Sequence, residues 1–178
     1  MLKTVVLEND KSAFFTEVDR LYESAFPLHE KRDKAAKARA FSHAHYQLQA
    51  WFDEQQFIGI IGVWNFRDYS YIEHLAVNPL LRGQGYGKRM LSQFLQQSPQ
   101  TILEIDPLTT EIAHKRLHFY QSLGFQVNPF VHHHPTYHAG MDDHELIVLS
   151  YPHQLESSQY QRFFADLCNE VMIDSTQP

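Results

Sequence analysis

The chain has 178 residues, 43% hydrophobic and only 20% charged, which fits one globular domain with a sizeable core and excludes a disordered or coiled-coil chain. Its net charge of −6 argues against a nucleic-acid or anionic-membrane partner and mildly favours a neutral or cationic substrate. The single cysteine, Cys168, excludes an internal disulfide and a CxxC pair, while the lack of a long apolar run or a secretory leader makes a cytoplasmic location the expectation.

In chain order, Thr4–Leu7 reads as a short strand. Asp10 or Ser12 is placed to cap a helix whose apolar residues Phe14, Phe15, Val18, Leu21, Tyr22 and Ala25 recur at helical spacing, and Pro27 ends it. Glu30–Phe41 is charged and alanine-rich, a second helix. Its basic residues Lys31, Arg32, Lys34, Lys37 and Arg39 are mixed with acids and expected on a solvated face. Tyr46–Phe52, Phe57–Trp64 and Tyr69–Val77 follow as three antiparallel strands, the first two joined by a hairpin turn at Asp53–Gln56. A glycine-rich loop leads into an amphipathic helix carrying Met90, Leu91, Phe94 and Leu95. Thr101–Ile105 is a strand, Thr110–Leu123 a helix stopped by Gly124, and Glu145–Ser150 a last strand. Tyr160, Phe163, Phe164, Leu167, Cys168, Val171 and Met172 form an apolar helical stripe behind Ser157 and Ser158 as caps, with Cys168 expected in the core. The pattern is a single α/β domain over 1–178 with a mixed sheet and a C-terminal helix over about 157–173.

The chemistry concentrates where the strand Tyr71–Val77 enters the turn Arg82-Gly-Gln-Gly85-Tyr-Gly87-Lys88 and a helix opens inside that turn. Alternate glycines let a ligand approach the backbone, and unpaired amides at a helix N-terminus make an anion site. A pyrophosphate is the expected guest. The P-loop pattern fails because Arg82 stands at its first glycine and Arg89 follows Lys88; the GxGxxG dinucleotide pattern fails because these glycines are spaced GxGxG.

Arg82-x-x-Gly85-x-Gly87 resembles the Arg/Gln-x-x-Gly-x-Gly/Ala signature of the GNAT superfamily of acyl-CoA-dependent N-acetyltransferases, and Leu117-His-Phe-Tyr120-Gln-Ser-Leu-Gly124-Phe125 resembles that superfamily's second block, in the same order. The resemblance covers about Tyr46–Phe125. It implies an α/β (α+β) fold with a central mixed, mostly antiparallel sheet flanked by helices, and acetyl-CoA as co-substrate without a metal. It further implies acetyl transfer to a primary amine of a small molecule or peptide. The loop amides of Arg82, Gly83, Gln84, Gly85, Tyr86, Gly87 and Lys88 would then hold the pyrophosphate. Leu75, Ala76 and Val77 would pair with the pantetheine arm, with the Leu75 or Ala76 amide as oxyanion donor.

Tyr120 matches the residue that commonly protonates the leaving thiolate. For the base there are two carboxylates in apolar strands, Glu73, which is favoured, and Glu104; either could equally be a structural partner of Arg116 or a histidine. Strand alternation puts His74 on the face opposite Glu73, packed or hydrogen-bonded. Ala113 stands where many members carry a cofactor-contacting asparagine, and Asp106–Thr110 lengthens the stretch before Tyr120, so Thr110 and Arg116 are candidate replacement contacts. In the loop Val131–His138, Tyr137 and His134 are the substrate-side candidates; its consecutive histidines point different ways and suggest no built metal site. A non-catalytic acyl-CoA sensor and an interaction protein that homodimerises through its C-terminal helix are the alternative classes.

Overall fold

The computed structural model describes residues 1–173. The chain divides into two compact units, Met1–Thr101 and a second from Ile102 onward. The first contains β1 (Lys3–Leu7), α1 (Phe15–Ala25), α2 (Lys34–Ser42), β2 (Tyr46–Asp53), β3 (Gln56–Asn65), β4 (Ser70–Val77) and α3 (Tyr86–Gln97). Strands β1 to β4 form an antiparallel meander in sequence order.

Strand alternation builds its core. Leu48, Ala50 and Phe52 of β2 join Leu7, Ile60 and Ala76 in one cluster with Val18, Leu21 and Tyr22 of α1. Residues Ile58–Trp64 of β3 are all buried, as a strand covered on both faces requires. Gly59 turns to the face away from α1, where the Met90 sulfur of α3 lies within 3.2 Å of any added Cβ.

Local details depart from the sequence reading at helix ends. No side chain caps α1: its first turn follows Phe14 in the left-handed region, because the Ser12 hydroxyl accepts from the Glu8 and Asn9 amides instead. Helix α2 starts later than expected, capped by Asp33 through the Ala36 amide, and Leu28–Glu30 is a separate 3-10 turn. Arg32, placed by sequence on a solvated helix face, precedes α2 and is buried.

The second unit contains β5 (Thr101–Ile105), α4 (Glu111–Ser122), β6 (Gln126–Val127), β7 (His132–His134), β8 (His144–Tyr151) and α5 (Ser157–Asp166), which continues as a π turn over Leu167–Val171. Strand β8 neighbours β5 and pairs antiparallel with both short strands, β6 and β7. The Thr110 hydroxyl accepts from the Ala113 amide at 3.1 Å and caps α4. Helix α5 is capped by a Glu156–Gln159 capping box, not by Ser157 or Ser158. Cys168 is half-buried, short of the core position expected of it. Among the described residues, no helix is long and apolar enough to cross a membrane.

The close approach at Gly59 yields a test. A Cβ there would stand 2.3 Å from the Ala76 carbonyl oxygen, a backbone atom that cannot step aside. Gly59→Ala should lower unfolding free energy by about 1–3 kcal/mol, read by urea denaturation; an unchanged midpoint would contradict this packing.

Candidate functional site

Strand β4 leads directly into the glycine loop. The Asn78 side chain accepts from the Leu80 amide at 3.1 Å and donates to the Phe57 carbonyl at 3.1 Å, which fixes the turn. Buried Leu81 anchors the following 3-10 turn. Arg82–Gly85 then run exposed, with Gly83 and Gly85 at φ of +78° and +79° and nothing within 4 Å of where a Cβ would be. Only glycine holds that conformation without strain, and the space beside the backbone stays open. No side chain caps α3, so its first amides project from a helix N-terminus carrying partial positive charge. That is an anion cradle. The far side of the helix start is pinned to β2: the Tyr86 hydroxyl and Arg89 Nη1 both donate to Asp53 Oδ2, at 3.1 and 2.9 Å. Arg89's hydrogen bond, followed by that of Tyr86, holds the Asp53 carboxyl below its usual range.

At the middle of β4 the pairing with β3 skips a residue: Gly62 faces His74 and Val63 faces Ile72. This β-bulge at Glu73 breaks the alternation, so the expectation of opposite faces for Glu73 and His74 is corrected. Their side chains approach to 3.8 Å. The Glu73 carboxylate has no solvent exposure. Arg32 donates to it through Nε at 3.0 Å and Nη2 at 3.2 Å, and Trp64 Nε1 at 2.9 Å. His74 packs between Tyr22 and Phe26 and bonds the Glu30 carbonyl at 2.7 Å. Burial alone would raise the Glu73 pKa; the Arg32 charge, His74 and the Trp64 N–H outweigh it and hold it down to about 2. A carboxylate that acidic, enclosed by its donors, is a poor proton acceptor near neutral pH. This geometry makes Glu73 an anchor for the segment that carries Arg32. Arg32 is the partner that sequence reasoning missed; the one available signal was that a glutamate inside an apolar strand demands a counter-charge.

In the second unit, Glu104 of β5 meets a histidine, one of the two alternatives open from sequence. His132 Nε2 lies 2.5 Å from Glu104 Oε2, and its Nδ1 lies 2.9 Å from the Tyr160 hydroxyl. Sequence reading put His132 in the histidine loop and Tyr160 on the C-terminal apolar stripe, and linked neither to Glu104. Arg116 instead pairs with Asp106 at 3.3 Å on the surface, which places the candidate cofactor contact in an exposed ion pair. Tyr120 is half-buried at the end of α4, its ring edge-on to Phe125. Its hydroxyl has no hydrogen-bond partner among the described residues. Burial raises its pKa although Arg116 counteracts, so it holds its proton at neutral pH. His134, expected on the substrate side, is buried, bonds the Pro135 carbonyl and stacks on half-buried Tyr137. Among the described residues, no group of three potential ligands could hold a metal ion.

The model of the Acetyltransferase (GNAT) family matches residues 12–125. A segment covering 57% of the chain is 33% identical over 119 residues to the tRNA(Met) cytidine acetyltransferase TmcA of Actinobacillus pleuropneumoniae serotype 5b (strain L20). The aligned part is 19% of that protein, so the chain spans about a fifth of the relative's length. Among solved structures, a GNAT-family acetyltransferase of Bacteroides thetaiotaomicron superposes with a TM-score of 0.88 at 26% identity, over 95% of this chain and 97% of that one. A GNAT acetyltransferase of Elizabethkingia anophelis with acetyl-CoA bound shares the fold, with a TM-score of 0.57 at 14% identity over 84% and 96% of the two chains.

The Arg32–Glu73 pair makes a stability prediction. Because the folded-state pKa of Glu73 is depressed from 4.5 to about 2, its contribution is complete above pH 4.5 and lost as pH falls towards 2. At pH 7, Glu73→Gln should cost about 3–5 kcal/mol by leaving Arg32 buried and unpaired. Between pH 7 and pH 3 the gap to wild type should narrow by about 2 kcal/mol, measured by urea unfolding at both pH values. A gap independent of pH would contradict the ion pair.

Proposed function

The chain belongs to the GNAT acetyltransferase family, and we propose on that premise that it is an acetyl-CoA-dependent N-acetyltransferase. Its acceptor is a primary amine of a small molecule or peptide, and both units serve one acetyltransferase domain. The observation that carries this reading is the open, doubly left-handed glycine loop at the start of α3. Its amides from Gly83 to Lys88 bind the pyrophosphate, with Arg82 and Lys88 adding charge. The backbone of Leu75–Val77 takes the pantetheine arm, and the Leu75 or Ala76 amide takes the developing oxyanion.

The amine nitrogen attacks the thioester carbonyl carbon; the C–N bond forms, the C–S bond breaks, the departing thiolate takes a proton from the acid, and the nitrogen, cationic after attack, gives up a proton that restores that acid. Tyr120 is the acid. Its raised pKa, and a hydroxyl with no hydrogen-bond partner among the described residues, support the assignment. The ammonium must first lose a proton, and Glu104 accepts it in place of Glu73, whose carboxylate is held by Arg32. Tyr137 borders the acceptor.

Incubating the protein with acetyl-CoA and a panel of primary amines should release CoA with at least one acceptor. CoA should also raise the melting temperature. Gly85→Asp, which puts negative charge in the cradle, should abolish that rise while leaving the unliganded melting temperature near that of other glycine substitutions in the loop. Tyr120→Phe should lower kcat by roughly 10²–10⁴-fold with CoA affinity unchanged. Binding without turnover on any amine would favour an acyl-CoA sensor; no binding would overturn both readings.

A further inference from the structure

The most demanding polar cluster of the second unit is the chain Glu104–His132–Tyr160. Glu104 lies between Leu103 and Ile105, both nearly fully buried, and its own side chain is only 6% exposed while that of His132 is 0%. Burying a carboxylate and an imidazole together is costly unless each finds its partners. Here both nitrogens of the ring are used, one on the carboxylate and one on the phenol.

The tautomer follows from the distances. The Tyr160 hydroxyl carries one proton and has two acceptors, His132 Nδ1 at 2.9 Å and the Val131 carbonyl at 3.4 Å. A carboxylate only accepts, so Nε2 carries a proton facing Glu104 Oε2, and the phenol, nearer to Nδ1 than to the carbonyl, is placed to donate to Nδ1. The ring is confined by Phe163 and Phe164, and Tyr160 is fixed by stacking on Phe130 at 4.2 Å and 7°.

We propose that His132 and Tyr160 are positioning residues for Glu104: the phenol sets the imidazole tautomer, and the imidazole N–H orients the carboxylate and keeps it ionised as the base of acetyl transfer. The inference rests on the reading above. A hydrogen bond donated to a carboxylate favours its charged form, whereas burial disfavours it. In the step, the acceptor's ammonium gives one proton to Glu104 and the neutral amine attacks; as the C–S bond breaks, Tyr120 protonates the thiolate and the second nitrogen proton restores the Tyr120 phenol, and the carboxylic acid returns its proton to water after product leaves. Among the described residues, burial and Glu104 raise the pKa of the Tyr160 phenol, and Cys168 on the π turn, raised by burial and by Asp143, acts on that phenol.

The test uses the whole protein, acetyl-CoA and the panel amine with the highest turnover. Glu104→Gln should lower kcat/KM roughly 10²-fold or more and erase the acid limb of its pH profile. His132→Leu should move that limb upward by about one pH unit, because an unsupported buried carboxylate stays protonated to higher pH. His132→Gln, whose amide can still donate, should restore most of the shift. Tyr160→Phe should move the limb the same way by less. Independently of any acceptor, 15N NMR of histidine-labelled protein should show His132 as the Nε2–H tautomer, and a mixture in Tyr160→Phe. Where His132→Leu fails to fold, the Gln variant, Tyr160→Phe and the NMR decide. An unmoved acid limb in the His132 and Tyr160 variants, wild-type turnover in Glu104→Gln, or an Nδ1–H tautomer overturns the proposal. Absence of turnover by wild type overturns the acetyl-transfer reading itself, and with it this one; CoA stabilisation intact in every variant separates the two failures.

Discussion

A carboxylate with no solvent exposure sits at the bulge of β4, and the first unit is arranged around keeping it charged. An isolated buried carboxylate is untenable, so a cation must be brought to it. Arg32 comes from the segment between the 3-10 turn and α2, and it holds that segment against β4. The Arg32 amide also donates to the Tyr22 hydroxyl at 2.7 Å, which ties the same segment to α1. Trp64 from β3 completes the set. One ion pair thereby links α1, the start of α2, β3 and the strand that feeds the glycine loop.

That anchoring has a chemical consequence. The interactions that make Glu73 acceptable inside the protein also lower its basicity, so structural and catalytic use of the same carboxylate oppose each other. Glu104, by contrast, meets an imidazole rather than a guanidinium. At the other end of β4 the glycine loop runs exposed, and the start of α3 is held from outside by Asp53 through Tyr86 and Arg89.

Much of this was legible from sequence because it depends on local patterns. The strands of the meander, the glycine loop opening α3, the strand Thr101–Ile105 and the stop at Gly124 each follow from periodicity or from a residue with one conformational use. What escaped was non-local or too short. Arg32 and Glu73 are 41 positions apart, and nothing in a mixed run of basic residues marks which one turns inward. The bulge is a property of two strands in register, so alternation along β4 alone put His74 on the wrong face. β7 is three residues long, too brief for alternation to show that His132 and His134 are buried while His133 is exposed. Ser12 looked like a helix cap because its hydroxyl could serve either α1 or the preceding turn, and the turn claimed it.

The central claim is that the amides opening α3 bind the pyrophosphate of acetyl-CoA. It is tested most directly by titrating 15N-labelled protein with CoA and following backbone amide shifts. The account predicts that the largest saturable perturbations fall on Gly83–Lys88, with a parallel shift of the CoA pyrophosphate 31P signals. Saturable CoA binding that leaves those amides unperturbed, or no binding at millimolar CoA, would contradict it.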